Sequence, residues 1–586
     1  MQLLKGHVQP LVERAIASLG VDPGLVERLL QPARELEQGD LTLPCFPFAK
    51  ALGKSPADIA EDVCEAMESH PALQEIHAVN GYVNLRADPT WLARHLLSNG
   101  LDNGTEVEPR TVLIEHTSAN PNGPFHVGRA RNAILGDTLV RLHRLWGNEV
   151  TAEYYVDDMG KQVAVLAWAL EALSSDRVEE LLSEREPANP QWANKPDHQR
   201  VRWYQAAQLL RKESDEAATI EEAIARLVHA SENGDEKVLD AFESAYQPVL
   251  DGMLETLGRL GISFDRFTKE SLFVTNGDVA QLVEELGALD INGVAENGAQ
   301  YLDLGARGLK GKTEFFYRRG DGSSLYATRD VAYHRWKWRQ SNELINVLGE
   351  DHKLQAQQVG LTLEELGERR PEVMFYSFIK LPEGKMSTRR GNVVFMDDLL
   401  EEAKAQAAEV VSSLRPDYTA EAVQEISEAV GTSAVRFNIV NVSPEKGFTF
   451  RWEDALSFES GSAPFIMYSH TRACSIQRKA MEVDASVATT NAPEVPNSAM
   501  PGGLVSLLRT LAVHHDCLAK VVAEHRPHLY AEYLLTLSNA YNSFYRDCHI
   551  IEDDRVNRFY FAISELARRT LCNGMVGLGL VPLETM

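Results

Sequence analysis

The sequence predicts an α/β protein: a parallel, doubly wound sheet split by a long helical insertion, a small α+β domain before it, and an all-α helical bundle after it. Three observations carry that expectation. Residues 111–156 read as strand, breaker-rich turn, helix and strand, which is a βαβ unit. From Thr313 to Leu381 strand-like and helix-like runs alternate again, as in a sheet with helices on both faces. Beyond about residue 420 the apolar residues recur at helical spacing. A chain of 586 residues is too long for one core. It divides into residues 1–100, residues 105–420 with an insertion at about 160–310, and residues 421–586.

In the first part, Leu11–Leu19 and Val26–Leu30 read as helical, and Glu37–Asp40 is a turn into a short strand. Ser55 caps a helix that has Pro56 at its first position. Ile76–Leu85 alternates, and reads as one edge strand running through Gly81. Asp102–Thr105 is a linker. Thr111–Ile114 is then a β-branched strand, and Asn120-Pro121-Asn122-Gly123-Pro124 can continue neither strand nor helix. His126 opens a helix with apolar residues at Ala130, Ile134, Leu135, Leu139 and Leu142, and Val150–Val156 is the second strand. A helix start behind a glycine-bearing turn is a natural phosphate cradle. On these residues alone, an ordinary βαβ unit with a histidine in its turn reads equally well.

The chain is helical from Met159 to about Leu257, and alternates strands and helix from Gly261 to Leu304. Gly305–Thr313 looks like a phosphate loop but puts five residues between Gly305 and Gly311, and reads as a charged turn. A second half of the sheet is expected to begin at Thr313–Tyr317, with a hairpin turn at Asp321-Gly322. Helix Val331–Trp338, strand Leu344–Gly349, a helix through Leu366 and strand Val373–Leu381 follow, with a basic loop, Lys385–Asn392, hanging from the last strand. Both the turn before His126 and this loop then fall at carboxyl ends of strands, where such sheets bind ligands. The bundle is expected to comprise Ile426–Val440, Ala463–Met481, Leu504–Val522, Tyr530–Asp547 and Phe559–Leu571, with a long loop at 484–503.

Composition is that of a soluble globular protein, 44% hydrophobic and 24% charged. No run approaches the roughly 20 apolar residues of a spanning helix, and the start lacks a signal peptide's basic and apolar regions. A cytoplasmic protein with no membrane partner is expected. Six scattered cysteines without a Cys-x-x-Cys pair give no support to zinc or to a disulfide framework. A net charge of −27 argues weakly against a nucleic-acid partner, although acidic helices around Glu179–Glu186 and Glu421–Glu428 can carry the excess.

The stretch around His126-Val127-Gly128-Arg129 and the later Lys385-Met386-Ser387-Thr388-Arg389 together resemble the two signatures of class I aminoacyl-tRNA synthetases, the His-Ile-Gly-His and Lys-Met-Ser-Lys-Ser types. Glu115-His-Thr-Ser-Ala-Asn-Pro and Tyr326-Ala-Thr-Arg-Asp330 narrow the resemblance to arginyl-tRNA synthetases, and it spans nearly the whole chain. It implies a Rossmann catalytic domain and ATP-dependent ligation of L-arginine to tRNA(Arg) through an arginyl-adenylate, in protein synthesis. ATP would enter with Mg2+, without zinc, in a monomer. The first domain would grip the tRNA elbow, and the bundle would bind the anticodon through the helix bearing Asn539 to Tyr545. Tyr541, Phe544 and Tyr545 there read equally as base-stacking or as core residues.

By the same resemblance, ATP is held by Pro124, His126, Gly128, Arg129, Asn132, Lys385, Met386 and Ser387, and His126, Lys385, Ser387 and Arg389 are catalytic. Glu115, Tyr326 and Asp330 read the guanidinium, which demands carboxylates arranged for forked hydrogen bonds. Asn120 and Gln358 hold the α-amino and carboxylate groups, in a register blurred by Gln355 and Gln357. Two residues depart from the class pattern: Arg129 replaces its second histidine and Thr388 its second lysine. Lys385, Arg389 and Arg129 are therefore expected to share the missing charge. A different class I synthetase and a non-catalytic tRNA-binding relative are the competing readings.

Overall fold

The computed structural model describes the chain apart from residues 34–37, 102–107, 184–188, 214, 381–393, 458, 460 and 489–492. At its centre lies a five-stranded parallel sheet of β1 (Thr111–Glu115), β2 (Glu149–Val156), β3 (Arg266–Lys269), β4 (Glu343–Gly349) and β5 (Glu372–Tyr376), ordered β5-β4-β1-β2-β3. The inner strands are apolar runs: Val112, Leu113 and Ile114 on β1, and Leu344, Ile345 and Val347 on β4, are buried. Burial on both faces is what a helix-covered parallel sheet imposes. The chain builds β1, β2 and β3 in one direction, then returns to lay β4 on the other side of β1. That reversal opens a crevice beyond the carboxyl ends of β1 and β4.

α1 (Val127–Trp146) connects β1 to β2 and ends at Gly147, whose φ of 102° allows the left-handed stop. Its buried residues include Ala130, Ile134, Leu135, Leu139 and Leu142. Between Lys161 and Arg259 the described residues of the insertion are mostly helical, and they include α2 (Pro196–Glu213). After it come α3 (Tyr326–Trp338), α4 (Lys353–Glu365) and α5 (Met396–Leu414).

Several expectations are corrected. Glu314–Arg318 does not start the second half of the main sheet: it pairs antiparallel with Gln300–Asp303, which pairs with Asn292–Val294. Of this strand Phe315 and Tyr317 are buried while Glu314 and Phe316 are exposed, a one-sided pattern that suits a small antiparallel sheet. Ile76–Leu85 is not one strand but part of a hairpin, Leu73–Val79 and Tyr82–Ala87, reversed by Asn80 (φ 51°) and Gly81 (φ 82°). The helix expected from Val331 starts at Tyr326. The strand expected to reach Leu381 stops at Tyr376, and Ile379–Lys380 pairs instead with Phe448–Thr449. Leu504–Val522 is broken at Val513 into Gly502–Ala512 and His514–Glu524, and α5 is an additional helix between the sheet and the bundle.

The bundle shares a continuous apolar core with the sheet domain. Arg436, buried on helix Ala420–Val440, donates to Asp137 of α1 (2.6 Å), to the Leu260 carbonyl (2.7 Å) and to that of Leu578 (3.2 Å). Signature helix, insertion and bundle thus meet on one guanidinium.

Candidate active site

The crevice contains a cavity of about 420 Å³. One wall is the loop after β1, where Thr117 (φ 68°) and Ser118 (φ 37°) adopt left-handed conformations that non-glycine residues rarely hold. Side chains fix that strain. Asn132 of α1 accepts from the Thr117 amide (2.6 Å) and donates to the Val347 carbonyl (2.9 Å). Tyr154 donates to the Ala119 carbonyl (2.6 Å), and the Ser118 hydroxyl donates to Glu115 (3.1 Å). His116 is pressed against α1 at Gly136, where any Cβ would lie 2.2 Å from that of His116.

Glu115, Asn120, Arg129, Asn132, Tyr326 and Asp330 all line the cavity. Asn132 does so with both ends of its amide engaged by main chain. Pro124, His126 and Gly128 do not line it; they occupy the turn and the start of α1, next to Arg129. His126 precedes α1 and forms a β-bridge with Phe395. The Val127 amide donates to the Val394 carbonyl (3.0 Å), and the Met396 amide to that of Phe125 (2.7 Å). Gly128 makes room for the imidazole: a Cβ there would sit 3.0 Å from His126 Nδ1. Burial, aided by Arg129, lowers the His126 pKa to about 4, so the ring is neutral at ordinary pH.

The cavity is electrically two-ended. Arg129 donates to the Asn120 carbonyl (3.3 Å), and among the described residues no carboxylate pairs with it. Toward α3 the acids gather. Asp330 pairs with His334 Nδ1 (3.0 Å) and accepts from Gln355 (3.4 Å). Burial alone would raise its pKa, but His334, Lys337 and Gln355 hold it below the usual carboxylate range. Asp157, also on the wall, is shifted upward by burial and accepts from the Gly160 amide (2.8 Å). Behind it Glu270 is pushed up to about 8 by burial, against the pull of its ion-pair partner Arg329.

Gln358 does not line the cavity; its amide donates to the carbonyls of Lys312 and Glu314, at 3.3 Å each. Gln355 faces the crevice, and three further residues carry Gln358 about 4.5 Å along the helix and past the mouth. Asp330 stands on α3, one turn after Tyr326, which is half-exposed at the mouth. Lys385, Met386, Ser387 and Arg389 lie outside the described residues.

The sequence reading missed the partners. Lys337, fully buried, donates to Glu115 (2.7 Å) and to Asn346 (2.9 Å), with its ammonium 4.2 Å from the Tyr333 ring centroid. Asn346 in turn donates to His334 Nε2 (2.7 Å). The available signal was the spacing of Asp330, His334 and Lys337, which puts three polar residues on one face of a helix.

Residues 92–452 match the family described as tRNA synthetases class I (R), catalytic domain. Residues 6–87 match the arginyl tRNA synthetase N terminal domain, and residues 466–586 the DALR anticodon binding domain. Parallel sheet, switch-point cavity and catalytic-domain match define a class I aminoacyl-tRNA synthetase. The chain is 39% identical to an arginine–tRNA ligase of Methanocella arvoryzae, over 98% of both chains. It is 37% identical to that of Methanothermobacter thermautotrophicus, again over 98% of each. The solved arginyl-tRNA synthetase of Thermus thermophilus superposes with a TM-score of 0.77 at 25% identity, covering 99% of this chain and 100% of that one. That of Plasmodium falciparum, at 16% identity and a TM-score of 0.76 over 99% of each chain, shares the fold. This chain belongs to the arginyl-tRNA synthetase family.

Proposed function

We infer that the protein is the ATP-dependent ligase that joins L-arginine to tRNA(Arg) through an arginyl-adenylate, supplying protein synthesis. The observation that carries the site assignment is the two-ended cavity, with a guanidinium that has no carboxylate partner among the described residues at one end and half-buried carboxylates at the other. Arginine presents a guanidinium and a carboxylate, and ATP a polyphosphate. Placing the guanidinium at Asp330 and Tyr326 turns the substrate carboxylate toward Arg129, where the α-phosphate of ATP would meet it in line. Such catalysis is positioning and charge neutralisation.

Arg129 supplies fixed positive charge to the phosphates, and neutral His126 donates one N–H to them. Lys385 and Ser387, by their place in the second signature, hold the β- and γ-phosphates of the ATP–Mg2+ complex. Arg129 and Arg389 share the charge that Thr388 leaves out. Glu115, already matched by Lys337, helps to shape the arginine end. The Asn120 amide nitrogen donates to Gln162 (3.1 Å), and its oxygen is offered to the substrate ammonium. Gln355 replaces Gln358 as the second polar contact.

For tRNA, the bundle carries a cleft lined by Arg415, Tyr418, Tyr468, Arg472, Lys479 and Tyr545. The Arg472 guanidinium sits 4.7 Å from the Tyr468 ring centroid and 4.8 Å from that of Tyr545. Cations interleaved with exposed rings suit an unpaired anticodon base. Tyr541 and Phe544 are fully buried, so on that helix Tyr545 is the stacking candidate. In the first domain the exposed pair Phe46 and Tyr82, 5.3 Å apart, is the corresponding surface for the tRNA elbow. We place this enzyme, as a monomer, in the cytoplasm; no helix among the described residues is long and apolar enough to cross a membrane.

The test is arginine-dependent ATP–pyrophosphate exchange, with and without tRNA(Arg), on the native chain and on Arg129→Ala. Exchange that Arg129→Ala weakens at least about tenfold, chiefly through the ATP KM, supports the reading. Exchange indifferent to Arg129 would sink the assignment of the phosphate end.

A further inference from the structure

α2 belongs to the insertion, yet it touches the elements that frame the phosphate end of the cavity. A Cβ on Gly123 would lie 2.6 Å from Val201 Cγ2, so α2 packs directly on the turn before His126. Just before and at the start of α2, Lys195, Asp197 and His198 form a buried cluster with Thr256 and with Asp397 in the first turn of α5. The Lys195 ammonium lies 2.8 Å from Asp397 Oδ2 and 3.1 Å from Asp197 Oδ2. His198 Nε2 is 2.9 Å from Asp397 Oδ2, and Thr256 donates to Asp397 Oδ1 (2.9 Å). The next residue, Asp398, accepts from Trp192 (2.9 Å) and Asn189 (3.1 Å).

Asp397 follows by two residues Phe395, the main-chain bridge partner of His126. The His198 ring also packs edge-on against that of Phe395, with centroids 5.2 Å apart. Three acid and imidazole groups spaced as if for a cation therefore surround an ammonium, at the root of the strand-like contact that holds the imidazole. Buried ion pairs add little stability over apolar packing of the same shape. Their hydrogen bonds do fix direction, and here both Asp397 oxygens are held.

We propose that Lys195, His198 and Asp397 are positioning residues for adenylate formation: from the insertion, they lock the Phe395–Met396 main chain against Phe125–Val127 and so set the height of His126 and the first turn of α1 over the phosphate end. This rests on the reading of that end as the ATP site.

The test measures pyrophosphate exchange with tRNA(Arg) present, titrating ATP and arginine separately, for Asp397→Asn, His198→Leu and His198→Gln. Asp397→Asn and His198→Leu should raise the ATP KM or lower kcat about tenfold, with the arginine KM within about twofold, in protein that is folded at the assay temperature. His198→Gln, whose amide nitrogen can stand in for Nε2, should recover most of the loss. ATP and arginine constants moving together, or Gln no better than Leu, would overturn the proposal. If Asp397→Asn fails to fold, the His198 pair decides. Arg129→Ala runs alongside. If it leaves the ATP KM unchanged, the ATP-site reading itself falls. If it raises the ATP KM while His198→Leu has no effect, only the positioning role falls.

Discussion

The ammonium of Lys337 lies between the Glu115 carboxylate and the Asn346 amide, on the face of Tyr333, and this changes which acid faces an incoming guanidinium. Glu115 already has a cation at contact distance. Asp330 has the His334 imidazole beside it and remains ionised, because His334, Lys337 and Gln355 outweigh its burial. Asp330→Asn keeps the shape and removes the charge. A hydrogen bond to a charged group contributes about 1.5–3 kcal/mol, so the arginine KM should rise roughly tenfold to a hundredfold, with the ATP KM unchanged. Separate titrations of the two substrates in the exchange assay decide this; equal loss for both would place Asp330 outside the arginine end. That Glu115, Tyr326 and Asp330 line one cavity was legible in the sequence because they sit inside short motifs. Lys337 was not, since a lysine in a sequence reads as solvated until a buried carboxylate is placed beside it. The glutamine register failed for a similar reason: the start of α4 fixes which of three nearby glutamines faces inward, and propensity does not locate that start to one residue.

At the scale of elements, periodicity identified the βαβ unit and the alternation of the second half, and it erred where a strand's partner decides its meaning. Glu314–Arg318 and Arg266–Lys269 are both short and one-sided, yet the first joins a local antiparallel sheet and the second the edge of the parallel sheet. Nothing in either pentapeptide or tetrapeptide distinguishes them; the connections do. The hairpin at Asn80-Gly81 was hidden because its alternation continues across the turn. Gly81 is needed there twice over, for its φ of 82° and because a Cβ would meet that of Pro56 at 2.8 Å. Gly81→Ala should cost about 1–3 kcal/mol. The residues around it form a core largely separate from that of the sheet, so the damage should stay local. Amide exchange across Leu73–Ala87 should accelerate roughly tenfold to a hundredfold while pyrophosphate exchange persists. Unchanged protection in that hairpin would refute the strain argument.

Across the whole molecule, the contact between α1 and the bundle is lined with histidines, and it ought to be acid-sensitive. His143, fully buried on α1, is stacked at 5.7 Å on His525, which pairs with Glu372 of β5 at 2.6 Å. Burial, then the fields of His525 and Arg110, lower the His143 pKa from 6.5 to about 3. The unfolded chain takes up this proton near pH 6.5 and the folded one does not. The stability that neutral His143 represents is therefore complete above pH 6.5 and is lost as the pH falls toward 3, by up to about 1.4 kcal/mol per pH unit. Glu153 and Glu270, whose pKa values are raised, act in the opposite sense, because they gain protons on folding. A melting curve of the native protein alone mixes the two. Comparing the native chain with His143→Phe removes the carboxylates, which contribute alike to both. A phenyl ring cannot take up a proton in either state, so the melting temperature of this variant relative to the native chain should rise steadily between pH 7 and pH 5. A difference that stays flat over that range would mean that the native His143 takes up its proton as it does in the unfolded chain, solvated at the junction. α1 would then meet the bundle through a wet contact rather than a dry one.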